Sequence, residues 1–214
     1  IMPSLVGSEM CIRDRHITTG EGGAIFTKDK GMYEKLKLLR SHGMTKNSNV
    51  IKNSDGPWYY EMHELGYNYR ITDFQCALGL SQLKKINNFV EMRKAIAKVY
   101  DKAFKSNNLF KIPHVMDNIG HSYHLYPLCI DFEKSKHSKK LLFEHLRKKN
   151  ISLQVHYIPV HLQPYYKNKY GFKNGDFPVS EKFYKSEISL PIFPSLKSSD
   201  QNFVIDALKS FFKV

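Results

Sequence analysis

Gln154, His156 and His161 are the side chains of this 214-residue chain whose types and spacing best suit recognition chemistry. Gln154 and His156 stand two residues apart in Ile151-Ser152-Leu153-Gln154-Val155-His156-Tyr157. Apolar and polar positions alternate strictly there, which predicts a strand with Ile151, Leu153, Val155 and Tyr157 on one face and Ser152, Gln154 and His156 on the other. With His161, the amide and imidazole can line a pocket for a sugar or an amide. The competing reading is a half-exposed strand with a polar outer face, and the pattern supports both equally.

A second group is Gly66-Tyr67-Asn68-Tyr69-Arg70, just ahead of a helix start. The Asn68 amide can donate to a phosphate and the Arg70 guanidinium can pair with an anion. Taken alone, a left-handed turn at Asn68 and a surface charge at Arg70 are the simpler account of the segment. Gly20-Glu21-Gly22-Gly23 lacks the spacing of a dinucleotide loop, and no helix signal follows it to present an N-terminus to phosphate. A glycine turn between two extended pieces is the simpler reading. Cys11, Cys76 and Cys129 are far apart, form no CxxC pair and suggest neither a disulfide framework nor a metal site. They fit a reducing cytoplasm.

The elements that must position these groups follow from periodicity. Ile17–Thr27 reads as two short strands around the glycine turn. Met32, Leu36 and Leu39 predict a helix ending at Arg40, and 41–60 reads as a long loop. Thr72 and Gln75 form a capping-box pattern, followed by an apolar stripe through Val90 and a second helical stretch to Phe104. Asn87-Asn88 marks the expected break between them. A strand is predicted over 123–131, with Pro127 arguing for a sheet edge. Helices are predicted near 138–149, near 179–187 and from Ser198, the last with Gln201 as a capping-box residue. Ser189-Leu190-Pro191-Ile192-Phe193-Pro194-Ser195-Leu196 reads as turn-like.

Composition sets the outer limits. Hydrophobic residues are 42% and charged residues 25%, the ordinary range for a globular chain with a sizeable core. No apolar run reaches the roughly 20 residues of a membrane helix. The net charge of +13 suits nucleic acid or an anionic substrate. However, the densest basic run, Lys134 to Lys149, is interrupted by Leu141, Leu142, Phe143 and Leu146 at helical spacing and reads as the solvated face of an amphipathic helix.

Taken in order, ITTGEGGAIFT, RSHGM, GYNYRITDFQCALGLSQLKKI, HLYPL, QVHYIPVHLQPYY and SLPIFP resemble the DegT/DnrJ-type sugar aminotransferases, from His16 nearly to Val214. QVHYIPVHLQPYY points to the branch of the family in pseudaminic acid synthesis. The resemblance implies an α/β fold: the C-terminal part of a fold-type-I transferase dependent on pyridoxal 5'-phosphate (PLP), comprising the end of the large domain and the small C-terminal α/β domain. It implies transfer of an amino group from an amino acid, such as glutamate, to C4 of a UDP-linked 4-keto-6-deoxy-N-acetylhexosamine by a cytoplasmic homodimer, with neither nucleic acid nor membrane as partner. It implies that Asn68 contacts the cofactor phosphate of the neighbouring subunit and that Gln154, Val155, His156 and Tyr157 contact the nucleotide-sugar. For Arg70 and His161 the binding and structural readings stay level.

The departure lies at Arg15, where the family carries its Schiff-base lysine. A guanidinium stays protonated and cannot supply the neutral amine a Schiff base needs. The resemblance also implies an upstream part carrying most cofactor contacts, and residues 1–15 match nothing in it. The expectation is therefore a foreign leader over 1–15, a large-domain remnant over 16–88 and a small domain over 89–214, in a chain that does not transaminate. The rivals are a lysine-less sugar-binding or regulatory protein and a basic nucleic-acid-binding module. Residues from about Glu91 onward are expected to fold best.

Overall fold

The computed structural model describes residues 15–214, and the expectations for residues 1–14 and for Cys11 lie outside them. The described residues form two compact units, Ile17–Lys84 and Lys85–Val214, with Arg15 and His16 grouped with the second.

In the unit Ile17–Lys84, helix α1 (Lys30–Arg40) begins where the Asp29 carboxylate accepts the Met32 N–H at 3.1 Å. Strands β1 (Met44–Thr45) and β2 (Glu61–Met62) pair antiparallel, Met44 opposite Met62. The expected long loop is thus pinned at both ends. Gly43 is the only buried residue of this unit. Its φ is +69° and a Cβ there would lie 1.7 Å from the Glu64 carbonyl oxygen, so only glycine lets the two backbones meet. Helix α2 (Asp73–Leu83) starts on the capping box read from the sequence: Thr72 Oγ1 accepts the Gln75 N–H and Gln75 Oε1 accepts the Thr72 N–H at 3.0 Å. The strands expected over Ile17–Thr27 do not form; that segment is irregular. Strand propensity is largely a preference for packing against a cross-strand neighbour, and Ile25 and Phe26 are exposed with none beside them.

The unit Lys85–Val214 carries the core. Helix α3 (Ile86–Phe104) buries Arg93, Ile96, Ala97, Tyr100 and Phe104, a stripe at three- and four-residue spacing. The break from α2 falls at Lys84–Lys85, and Asn87-Asn88 lies inside the first turn of α3. Strands β3 (Phe110–Lys111), β4 (Tyr126–Ile130) and β5 (Glu187–Leu190) form an antiparallel sheet in that order. β4 alternates strictly, burying Tyr126, Leu128 and Ile130 fully. It is the central strand, against the expectation from Pro127. The proline is tolerated because β3 pairs only with Cys129 and Ile130, so Pro127 has a partner on the β5 side alone.

Four helices lie between β4 and β5: α4 (Phe132–Ser135), α5 (Lys139–Lys148), α6 (Pro164–Tyr170) and α7 (Pro178–Ser186), with a 3-10 turn at Val160–Leu162 ahead of α6. Ser138 caps α5 by accepting the Leu141 N–H at 3.1 Å. Helix α8 (Ser198–Phe212) closes the core with Val204, Ile205, Ala207, Leu208 and Phe212. Its N-cap is Lys197 and has no side-chain bond; Gln201 is buried and donates instead to the Ile96 carbonyl oxygen at 2.8 Å. The expected capping box at this helix is therefore a tertiary contact. The expected strand 151–157 reduces to a single bridge, Gln154 opposite Ser189. Ile151 and Leu153 are buried as expected, whereas Tyr157 is exposed. The expected turn at 189–196 begins inside β5.

Candidate functional site

The segment Gln154–Tyr157 lies along the outer side of β5. Every residue of β5 is buried, although two of the four are polar. Side chains alternate along a strand, so Ile188 and Leu190 share the core face and Glu187 and Ser189 share the other. The Ser189 N–H donates to the Gln154 carbonyl oxygen at 2.8 Å, and the His156 N–H donates to Glu187 Oε2 at 3.1 Å. These two bonds fix the segment at Gln154 and at His156. Side-chain contacts tighten the arrangement: Ser189 Oγ donates to Glu187 Oε1, and His156 Nδ1 lies 2.7 Å from Ser189 Oγ. The His156 ring meets the Tyr157 ring edge-on, with centroids 4.6 Å apart. Val155 is half-buried and Tyr157 presents 62% of its surface to solvent. A carboxylate, a hydroxyl, an imidazole and a phenol thus sit in one connected group, in which the half-buried imidazole and the exposed phenol lie at the surface and are of the types that contact a polyhydroxylated ligand.

Two further groups border β5. Burial lowers the Lys139 pKa, and the Glu187 charge works against that shift. The Lys139 ammonium donates to the Tyr184 carbonyl oxygen at 2.7 Å. Burial raises the Cys129 thiol, with a bond to Ser186 acting the other way. His161 is buried, bonded at 2.9 Å to Glu181 and packed on the Phe177 ring at 4.6 Å. Glu181 also accepts the Gly175 N–H, and His161 foremost, then this bond, holds its carboxyl below the usual range. The structure therefore gives His161 a place in the 3-10 turn and α7 packing, where it ties Val160–Leu162 to the helix.

In the unit Ile17–Lys84, Asn68 is held by its backbone. It bridges to Ser41, between the His42 N–H bond to the Tyr67 carbonyl and the Tyr69 N–H bond to the Arg40 carbonyl, 2.8 and 2.9 Å. Its side chain is exposed, and the rings of its neighbours Tyr67 and Tyr69 stack on each other 4.9 Å apart. Arg70 lines an open cavity of about 510 Å³ together with Lys46, Trp58 and Tyr60. Sequence reasoning missed Lys46, Trp58 and Tyr60, whose signal was only the length of the loop that carries them. It also missed Glu187 and Ser189; the signal there was two polar residues at alternate positions of a short apolar stretch. Among the described residues no group of three or more His, Cys, Asp or Glu is arranged to hold a metal ion, and no helix is long and apolar enough to cross a membrane. Arg15 is exposed.

Comparison with known proteins adds an independent finding. The profile of the DegT/DnrJ/EryC1/StrS aminotransferase family matches residues 13–209. The UDP-4-amino-4,6-dideoxy-N-acetyl-beta-L-altrosamine transaminase of Campylobacter jejuni is 40% identical over 197 residues, which is 91% of this chain and 49% of that protein. The solved structure of PseC from Helicobacter pylori, an aminotransferase involved in the biosynthesis of pseudoaminic acid, superposes with a TM-score of 0.82 at 35% identity, over 93% of this chain and 51% of that one. The sugar aminotransferase Spr1654 of Streptococcus pneumoniae, described as putative and solved in its PLP-form, gives a TM-score of 0.74 at 27% identity over 87% and 45%. The chain spans about half the length of the proteins it matches, and the α/β fold is shared throughout that half.

Proposed function

Because this chain belongs to the DegT/DnrJ/EryC1/StrS aminotransferase family, we propose that it is part of a sugar aminotransferase acting on a UDP-linked 4-keto-6-deoxy-N-acetylhexosamine. An amino acid, glutamate foremost, would donate the amino group to C4, and a cytoplasmic homodimer would be the working form. The observation that carries the reading is the seating of Gln154–Tyr157 on β5 in a chain 40% identical to a transaminase of that substrate class. Gln154, His156 and Tyr157 supply hydrogen-bonding groups and Val155 an apolar contact for the nucleotide-sugar. Asn68 supplies an exposed amide, fixed by its backbone bridge, for a phosphate.

PLP is the group this family implies, and in the intact reaction it would provide the electron sink. The described residues fit it only in part. Asn68 suits its phosphate, but Arg15 cannot bond to its aldehyde, since no neutral amine is available there. No step through the cofactor is therefore assigned to this chain. Adding PLP is expected to give no stoichiometric Schiff-base absorbance that survives dialysis. A retained, borohydride-trappable adduct at one lysine would refute this.

The substrate reading is tested by titrating the chain with UDP-N-acetylglucosamine in a calorimeter, beside the Tyr157→Ala variant. Saturable binding weakened about tenfold by the substitution, or about 1.4 kcal/mol, is the expected result. Absence of binding at millimolar ligand, or equal binding by both proteins, would reject the assignment of Gln154–Tyr157.

A further inference from the structure

We propose that Glu187 and Ser189 are positioning residues for His156, fixing a proton on Nδ1 of its imidazole, so that in the neutral ring Nε2 is the acceptor. The inference deepens the reading of Gln154–Tyr157 as a nucleotide-sugar contact and, for the ligand, rests on it.

Burying a carboxylate and a hydroxyl on a strand whose other face is core is unfavourable unless every group is hydrogen-bonded. Apolar residues at 187 and 189 would pack there more cheaply, as Ile188 and Leu190 do. Instead both polar groups are satisfied, and each is satisfied by the same neighbour. Glu187 accepts the backbone N–H of His156 on Oε2 and the hydroxyl of Ser189 on Oε1. Ser189 accepts or donates to one side-chain partner besides Glu187, namely Nδ1 of His156.

Proton counting then settles the direction. An ionised carboxylate only accepts. Ser189 has one hydroxyl proton, and Glu187 takes it. The remaining capacity of Ser189 Oγ is as an acceptor, so Nδ1 at 2.7 Å must donate. A neutral imidazole with Nδ1 protonated carries its lone pair on Nε2. The backbone bonds at Gln154 and His156 hold the segment in register with Glu187 and Ser189, so the ring is fixed in place as well as in tautomer. The chemical consequence is polarity: a lone pair on Nε2 accepts from a hydroxyl or an amide N–H and repels a carbonyl oxygen.

The test is long-range ¹H–¹⁵N correlation spectroscopy of the labelled chain, with His156 assigned from the spectrum of the His156→Gln variant. The expected wild-type pattern has Nδ1 protonated and Nε2 bare. Ser189→Ala is expected to move the ring toward the Nε2–H form that histidine prefers in water, and Ser189→Thr, which keeps the hydroxyl, to restore the wild-type pattern. A wild-type ring protonated on Nε2, or a Ser189→Ala spectrum with the tautomer unchanged, would overturn the proposal. UDP-N-acetylglucosamine is the second probe, and about tenfold weaker binding is expected for Ser189→Ala. If the tautomer responds as stated while the nucleotide-sugar binds neither protein, the positioning role stands and the substrate reading is what has failed.

Discussion

Replacing Arg93 by methionine is expected to lower the stability of the unit Lys85–Val214 by about 3 kcal/mol. Arg93 leaves 1% of its surface exposed, at the head of the buried stripe of α3. Its Nη1 donates to three carbonyl oxygens, those of Tyr123 at 3.2 Å, His124 at 3.1 Å and Ile192 at 2.9 Å. The first two lie just before β4 and the third just after β5, so one guanidinium joins the approach to one strand with the exit from its neighbour. Methionine keeps the apolar stem and removes every donor. Hydrogen bonds to a charged group are each worth about 1.5–3 kcal/mol, and a shared donor gives less than the sum. Lysine would keep the charge but lacks the planar fork, and should recover part of the loss. The urea midpoint should fall with the slope of the transition unchanged. A loss below about 1 kcal/mol would show that the three carbonyls are served by water or do not need the arginine.

The second large effect is alkaline. Tyr100 and Tyr126 have no exposed surface, and their rings pack at 5.0 Å. Tyr100 donates to the Pro191 carbonyl oxygen at 2.9 Å and Tyr126 to Asp101 at 2.6 Å. Burial pushes both phenols above their ordinary value, and for Tyr126 the bond to Asp101 and the Asp101 charge push the same way. A group whose folded pKa is raised contributes stability that is fully present below its unfolded pKa, about 10 for tyrosine. That contribution is lost as pH rises from there toward the folded pKa, because the unfolded chain ionises first. Each phenol should therefore remove about 1.4 kcal/mol of stability per pH unit above about pH 10. Urea midpoints measured between about pH 9 and about pH 11 should show the decline, and Tyr126→Phe should remove half of the slope attributable to the pair. Stability that stays level across that range would refute the argument.

Much of the architecture is carried by local signals, and these are legible in the sequence. The Thr72 cap and the apolar stripes of α1, α3, α5 and α8 each depend on residues a turn or two apart. What fails is what depends on a distant partner. Gln201 after Ser198 has the spacing of a cap, but only the position of the Ile96 carbonyl decides where its amide goes. Pro127 argues for an edge under a rule about ladders, and the shortness of β3 lets the central strand obey the same rule. Glu187 and Ser189 are hidden because Glu187 reads as the tail of α7 and Ser189 as the start of a turn. The motifs around Asn68 and QVHY pointed to the family that the comparisons bear out. The QVHY pattern alone leaves the binding and structural readings level, since a polar strand face is equally a solvated one, and around Asn68 a left-handed turn is the simpler reading.

Gly43 being the only buried residue of Ile17–Lys84 has a calorimetric consequence. The heat capacity increment of unfolding follows the apolar surface newly given to water. In this unit Phe26, Trp58, Leu65 and Phe74 are already in water, each with 70% or more of its surface exposed. Opening it releases backbone hydrogen bonds while hydrating little hydrocarbon. Its free energy should therefore change with temperature almost along a straight line, with no cold-denaturation limb. The curvature of the whole chain's stability, and any temperature of maximum stability, belongs to the residues that close around Tyr100, Tyr126 and Leu208.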